Sequence, residues 1–123
     1  MYNYNRKSKA KLKTCDTRLQ EIFNEVIKIM DITILEGTRD EATQNKYFDD
    51  GVSTLEYPKS RHNRLPSGAV DAAPYPIDWN DLYRFRLLVN IVKYISAQMG
   101  YKITCGADWE KFRDYPHFQI EEK

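Results

Sequence analysis

Ser60-Arg61-His62-Asn63-Arg64-Leu65-Pro66-Ser67-Gly68-Ala69-Val70-Asp71 is the stretch whose reading decides the fold. It passes from an irregular, proline-marked segment into a run of small and β-branched residues. His62 and Asp71 therefore stand at the two ends of a turn that enters a strand, where Gly68 and Ala69 leave room. A second stretch far downstream, Asp114-Tyr115-Pro116-His117-Phe118-Gln119, carries the other histidine of a chain that has only two. His117 opens a further strand, which can lie beside the first.

Working outward, Leu19, Ile22, Phe23, Val26, Ile27 and Met30 form one apolar stripe at helical spacing, so residues 14–30 are expected to be an amphipathic helix. Ile32 to Leu35 is a short β-branched run and reads as a buried strand. Asp40 to Asp50 reads as a helix with Asp40 as its N-cap, closed by Gly51. Residues 52–67, with Pro58 and Pro66, form a long irregular loop of the kind that often carries function. Ala69 to Ala73 is the next strand. Asp78 is the expected N-cap of a helix that buries Leu82, Phe85, Leu88, Val89, Val92, Ile95 and Met99 and ends at Gly100. Tyr101 to Cys105 and His117 to Ile120 complete the strands. Helices interleaved with single strands fit a parallel α/β sheet, but the short connections near the end and the small size favour a mixed α+β sheet with helices packed on one face.

A chain of 123 residues is one domain and can bury a real core. Net charge is +1, unevenly placed. Residues 1–13 carry Arg6, Lys7, Lys9, Lys11 and Lys13 and no acid, leaving a balance of −4 elsewhere. We read 1–13 as a basic arm and 14–123 as a single catalytic domain. The arm suits an anionic polymer, or is a solvated terminus; nothing in it reads nucleic acid. Cys15 and Cys105 make no disulfide framework and no zinc-finger spacing, and are expected as reduced thiols. No apolar run approaches the roughly 20 residues of a membrane span, and no apolar segment follows the basic start, so neither membrane insertion nor a secretory signal is expected.

A catalytic zinc takes three protein ligands and keeps one position for water. His62, Asp71 and His117 supply two imidazoles and a carboxylate, a set that leaves a divalent ion with net positive charge to acidify bound water. Asp114, three residues before His117 with Pro116 stiffening the turn between, is placed to move protons without being a ligand. Arg39 is the candidate cation for an oxyanion or a substrate carboxylate. Other readings stand beside these. A histidine between Pro and Phe also fits a packed strand edge, and Asp71 also fits a turn cap. Trp109 fits a groove wall or the core, and Asp108 fits a partner for a ligand histidine or a turn residue.

The ordered set Ser60-x-His62, Ala69-x-Asp71 and Asp114-x-x-His117 resembles the zinc peptidases of the D-alanyl-D-alanine carboxypeptidase family, which includes phage L-alanyl-D-glutamate endopeptidases. Gly37-Thr38-Arg39, Gln44, Gly51-x-Ser53 and Gly106-Ala107-Asp108-Trp109 are similar to that family as well. The likeness covers residues 34–120. It implies the small Hedgehog/DD-peptidase α+β fold, a mostly antiparallel sheet carrying the zinc with helices packed against it, with His62, Asp71 and His117 as zinc ligands, Asp114 as the catalytic acid/base, and Arg39 and Ser60 as substrate contacts. Two departures stand out. Eight residues separate His62 from Asp71 where the tight form of the motif has six. The acid/base is Asp, not the Glu of the dipeptidase branch, which favours the endopeptidase branch.

What the resemblance implies is a zinc-dependent endolysin, expected as a monomer, that cuts the L-Ala–D-Glu bond of peptidoglycan stem peptides. Such enzymes are made in the host cytoplasm and released by a holin-type pore. A D,D-carboxypeptidase or dipeptidase of the same fold is the alternative enzyme. A zinc-stabilised wall-binding module without catalysis is the alternative outside enzymes, and Asp114 argues against it.

Overall fold

The computed structural model describes residues 2–111 and 113–121. In chain order its elements are α1 (Arg6–Leu12), α2 (Thr17–Ile29), β1 (Ile32–Glu36), α3 (Glu41–Asp49), β2 (Ala69–Pro74), α4 (Leu82–Met99), β3 (Ile103–Cys105) and β4 (His117–Ile120). Short 3-10 turns lie at Arg61–Asn63 and Gly106–Asp108. The strands form one antiparallel sheet in the order β1-β2-β4-β3, so the α+β architecture expected from the sequence is the one found.

The two long helices cover one face of this sheet. The α2 stripe Leu19, Ile22, Phe23 and Val26 is fully buried, and so are Leu88 and Val92 of α4. Phe23 meets Phe118 of β4 edge to face, with ring centroids 5.4 Å apart. Burial of side chains this size contributes about 1.5–3 kcal/mol each, so this layer supplies most of the driving force for folding. It also fixes β2 and β4 side by side. Asp71 is then directly opposite His117 in the register.

Two helix starts differ from the sequence reading. α2 begins at Thr17 because the Asp16 carboxylate accepts from the Arg18 amide at 2.9 Å. α4 begins at Leu82, not after Asp78. Asp78 spends its carboxylate on the Asn80 amide at 3.0 Å, closing a turn, and Asp81 caps the helix through the Arg84 amide at 3.2 Å. Residues 6–12, read as part of a basic arm, form α1 along the outer side of β1. The Ser8 hydroxyl accepts from the Ile34 amide at 3.1 Å, Leu12 is buried, and the Tyr4 hydroxyl donates to the Phe23 carbonyl at 2.6 Å. The five basic side chains of residues 6–13 remain exposed.

β1 breaks register between Ile34 and Glu36. This bulge turns Glu36 to face Asp71 across the ladder, the kind of irregularity that re-aims side chains beside a site. The long loop is anchored at its far end. Ser67 donates its amide to the Thr14 carbonyl at 2.7 Å and accepts from the Asp16 amide at 2.8 Å, which ties the His62–Asp71 segment to the α1–α2 link.

Candidate metal centre

His62 sits in the 3-10 turn Arg61–Asn63, which Ser60 and Asn63 cap reciprocally. The Ser60 hydroxyl accepts from the His62 amide at 3.2 Å, and the Asn63 side-chain oxygen accepts from the Ser60 amide at 3.0 Å. The Gly37-Thr38-Arg39 segment holds this turn from the other side. The Arg39 amide donates to the His62 carbonyl at 2.6 Å, and the Thr38 hydroxyl donates to the Arg64 carbonyl at 2.9 Å. The ring itself is 2% exposed.

Gln44 explains why its position belongs with these motifs. It is fully buried and links three loops. Its amide nitrogen donates to the Ser53 hydroxyl at 3.0 Å and the Leu55 carbonyl at 2.6 Å. Its oxygen accepts from Arg39 Nη1 at 2.7 Å and Asn63 Nδ2 at 3.2 Å. Arg39 is equally engaged. Its Nε donates to Glu36 at 2.5 Å, its Nη2 lies 3.8 Å from the outer oxygen of Asp71, and its guanidinium rests 4.7 Å above the Tyr47 ring. Only 9% of its side chain is exposed, at the wall of the cleft.

Asp71, His62 and His117 converge. Asp71 Oδ1 lies 3.2 Å from His62 Nε2 and 3.2 Å from His117 Nδ1. The two rings stand 5.2 Å apart, tilted by 69°. The three donor atoms all lie within 4.8 Å of one another, and among the described residues this is the cluster of metal-ligating groups. For comparison, tetrahedral zinc with bonds of about 2.0–2.1 Å holds its ligand atoms roughly 3.3 Å apart.

The outer nitrogens make the fit sharper. His62 Nδ1 is 2.7 Å from the Gly37 carbonyl, which can only accept, so that nitrogen carries the proton. His117 Nε2 is 2.8 Å from Gln119 Oε1. The amide of Gln119 is oriented by its nitrogen, which donates to Glu121 at 3.1 Å. Glu121 in turn takes the Thr104 hydroxyl at 2.5 Å and pairs with Arg61 at 2.9 Å. In the neutral rings, both inner nitrogens therefore present lone pairs toward the carboxylate of Asp71. Three lone pairs facing one point require a cation between them, a proton or a metal ion. The residues present fit a divalent metal.

The electrostatics agree. Burial by itself would raise the Asp71 carboxyl, but hydrogen bonds and charge from His117 and His62 hold it well below the ordinary carboxylate range. Burial by itself would lower His117, but Asp71 raises it above its usual value, with Gln119 and Asp114 adding to the effect. Asp71 thus favours positive charge between the two rings.

Asp114 stands apart from the cluster yet beside it. Its amide donates to the Gly106 carbonyl at 3.0 Å, and its carbonyl accepts from the His117 amide at 3.2 Å, closing the turn through Pro116. Burial pushes its carboxyl up, and the charge of Asp71 adds to that. Gly106 makes this approach possible, since a Cβ there would overlap the Asp114 carbonyl and press against His117 Cβ at 3.0 Å. Gly37 is constrained likewise by Thr14 and the Lys11 carbonyl. Gly68 has ordinary space around it, with nothing nearer than 3.5 Å, so the room expected there is not what shapes the turn.

The two readings of Trp109 and of Asp108 resolve. Trp109 lies tilted over His117 at 5.0 Å and lines the cleft. Asp108 pairs with Lys93 of α4 at 2.8 Å and orients neither histidine. That orienting work falls to Gly37 and Gln119, to neither of which the sequence reading gave a role. The i+2 spacing of Gln119 from His117 on one strand was the available signal, since it places both side chains on the same face. Glu36 and Trp79 were missed as well. Cys15 and Cys105 are both free and buried; burial pushes their thiols up to about 12 and about 11, so neither offers a thiolate.

His62, Asp71, His117, Asp114, Arg39 and Gln119 line one cleft of about 920 Å³, whose lining also includes residues 51–55 and 59–61, Trp79, Trp109 and Arg113. The family model described as "Phage L-alanyl-D-glutamate peptidase" matches residues 1–122. The chain is 32% identical, over 126 residues, to the L-alanyl-D-glutamate peptidase of Escherichia phage T5, with 98% of this chain and 90% of that protein covered. Its fold is similar to that of the Serratia marcescens L-Ala D-Glu endopeptidase ChiX, with a TM-score of 0.82 and 23% identity over 97% of this chain and 90% of that one.

Proposed function

The chain belongs to the phage L-alanyl-D-glutamate peptidase family, and on that premise we propose that it is a zinc endopeptidase hydrolysing the L-Ala–D-Glu bond of peptidoglycan stem peptides. The observation that carries the proposal is the pair of fixed tautomers, which aim His62 Nε2 and His117 Nδ1 at the same carboxylate oxygen of Asp71. Those three residues would hold the ion. Zinc is favoured over harder cations because two imidazoles and one carboxylate are its usual catalytic set. When bound, zinc supplies a Lewis acid for the alanyl carbonyl and acidifies water.

The remaining work belongs to side chains of this chain. The Asp114 carboxylate takes a proton from the attacking water and delivers it to the departing D-Glu nitrogen. A carboxyl raised by burial and by Asp71 keeps a proton between those two steps more readily than an exposed one. Arg39 and Ser60 are assigned to the substrate wall, where both line the cleft. Arg39 Nη2 lies 3.8 Å from the outer oxygen of Asp71, and the inner oxygen faces the two histidines. The enzyme acts on the bacterial wall as a monomer, and its release from the cytoplasm is assigned to a partner pore of the holin type. Among the described residues no helix is long and apolar enough to cross a membrane.

Metal analysis of the purified protein, together with mass spectrometry of digested sacculi, tests this reading. The expected results are one zinc per chain and new amino-terminal D-Glu. Cleavage confined to D-Ala–D-Ala bonds would overturn the bond assignment, and a metal-free active enzyme would overturn the zinc assignment.

A further inference from the structure

The chain has two tryptophans, and both line the cleft that holds the metal cluster. Trp79 is 58% exposed, a large apolar face left open to water. It is not loose: its ring stacks on Phe85 at 5.5 Å and 19°. A smaller recess of about 260 Å³ continues from it and brings Arg113, Asp114 and Tyr115 to the same place. An exposed aromatic face held rigid beside polar groups, and continuous with a reactive carboxylate, is a binding surface in waiting.

Lys59 and Arg61 also line the cleft but not this recess, and they bring different chemistry. Arg61 is paired with Glu121 at 2.9 Å, whereas Lys59 has no ion pair among the described residues. These cations suit carboxylates, which a stem peptide carries on D-Glu and beyond it. On the other side of the scissile bond, L-Ala is joined through its amine to the lactyl group of an amino sugar. A pyranose offers an apolar C–H face to a ring and hydroxyl and N-acetyl groups to polar neighbours.

We propose that the Trp79 side of the cleft is a subsite for the N-acetylmuramyl sugar, so that the enzyme prefers stem peptides still attached to glycan. This rests on the reading of the cleft as a stem-peptide site. Trp79 supplies the stacking face, Arg113 and Tyr115 the polar rim, and Trp109 the floor next to His117.

Two substrates with the same peptide test it, one N-acetylmuramyl and one simply N-acetylated on L-Ala. Wild-type enzyme is expected to favour the first in kcat/KM, and Trp79→Ala to reduce that preference by about tenfold, the effect of losing one aromatic contact. An unchanged ratio overturns the subsite even where both substrates are cut; failure to cut either one overturns the endopeptidase reading and the subsite with it. A second measurement needs no turnover. In Trp109→Phe protein Trp79 is the sole indole, and its emission is expected to shift saturably with the N-acetylglucosaminyl-N-acetylmuramic acid disaccharide. A flat titration overturns the proposal, as does an equal response to the acetylated peptide without sugar.

Discussion

The two histidines of the cluster are held by different materials. The His62 ring and carbonyl rest on backbone: its outer nitrogen meets the Gly37 carbonyl, and its own carbonyl takes the Arg39 amide. His117 rests on side chains, in the order Gln119, Glu121, then Thr104 and Arg61. A backbone acceptor cannot be deleted by substitution; it can only be displaced. A chain of side chains can be dismantled one member at a time. The His62 half should therefore fail all at once and the His117 half by degrees, and Asp114 should be separable from both.

The largest expected effect separates reacting from holding. Asp114→Asn keeps the turn through Gly106 and Pro116 but cannot take a proton. Turnover is expected to fall at least about 100-fold, with zinc content unchanged by metal analysis. Full activity in that variant would remove Asp114 from the chemistry. Next comes the backbone half. Gly37→Ala forces a methyl into Thr14 and the Lys11 carbonyl, so the segment that receives the His62 proton must shift. A loss of about 1–3 kcal/mol in denaturant unfolding is expected, together with loss of stoichiometric zinc. A variant that melts normally and binds zinc normally would show that the backbone scaffold is not rigid.

The same contrast explains what the sequence made legible. The helical stripe of α2, the β-branched run of β1 and the strand at Ala69–Pro74 declare themselves, because burial of one face imposes a local period. That His62, Asp71 and His117 converge was legible from residue type, order and the family resemblance they carry. What holds them was not. Gly37 acts through its carbonyl, which every residue has, and its missing Cβ matters only because α1 packs there. α1 itself hides in a run of lysines whose one buried polar residue, Ser8, is a single hydroxyl against a strand amide. Gln44 reads as an ordinary helix residue until the loops that it ties are folded around it. The start of α4 was misplaced because Asp78 and Asp81 are both good caps, and only the turn closed by Asp78 decides between them.

The side-chain half should respond in steps. Gln119→Ala removes the acceptor that orients His117, and zinc affinity measured by chelator competition is expected to weaken about 10–100-fold. Glu121→Ala leaves Gln119 in place but frees its amide to rotate, so a loss below about tenfold is expected. Equal losses in the two variants would mean that the relay acts as a block, and the contrast with His62 would collapse.

The smallest effect is a slope with pH, and it belongs to the His117 half. Burial works against charge on His117, but Asp71 outweighs it, so its folded-state value lies above the ordinary 6.5. A raised histidine stabilises the metal-free fold fully below about pH 6.5, and that contribution is lost as pH rises through the folded value. Asp71 is depressed, so its contribution is present above the ordinary 3.8 and fades only in strong acid. The metal-free protein should therefore lose melting temperature on going from pH 6 to pH 8. On the proposed reading zinc binding would run the other way, because a proton on His117 would have to leave before the ion could enter. The gap in Tm between zinc-loaded and metal-free protein is thus expected to widen over the same interval. Gln119→Ala should flatten that widening, since Gln119 helps to raise His117. A gap that stays constant with pH in the wild-type protein would mean that no proton is displaced from His117.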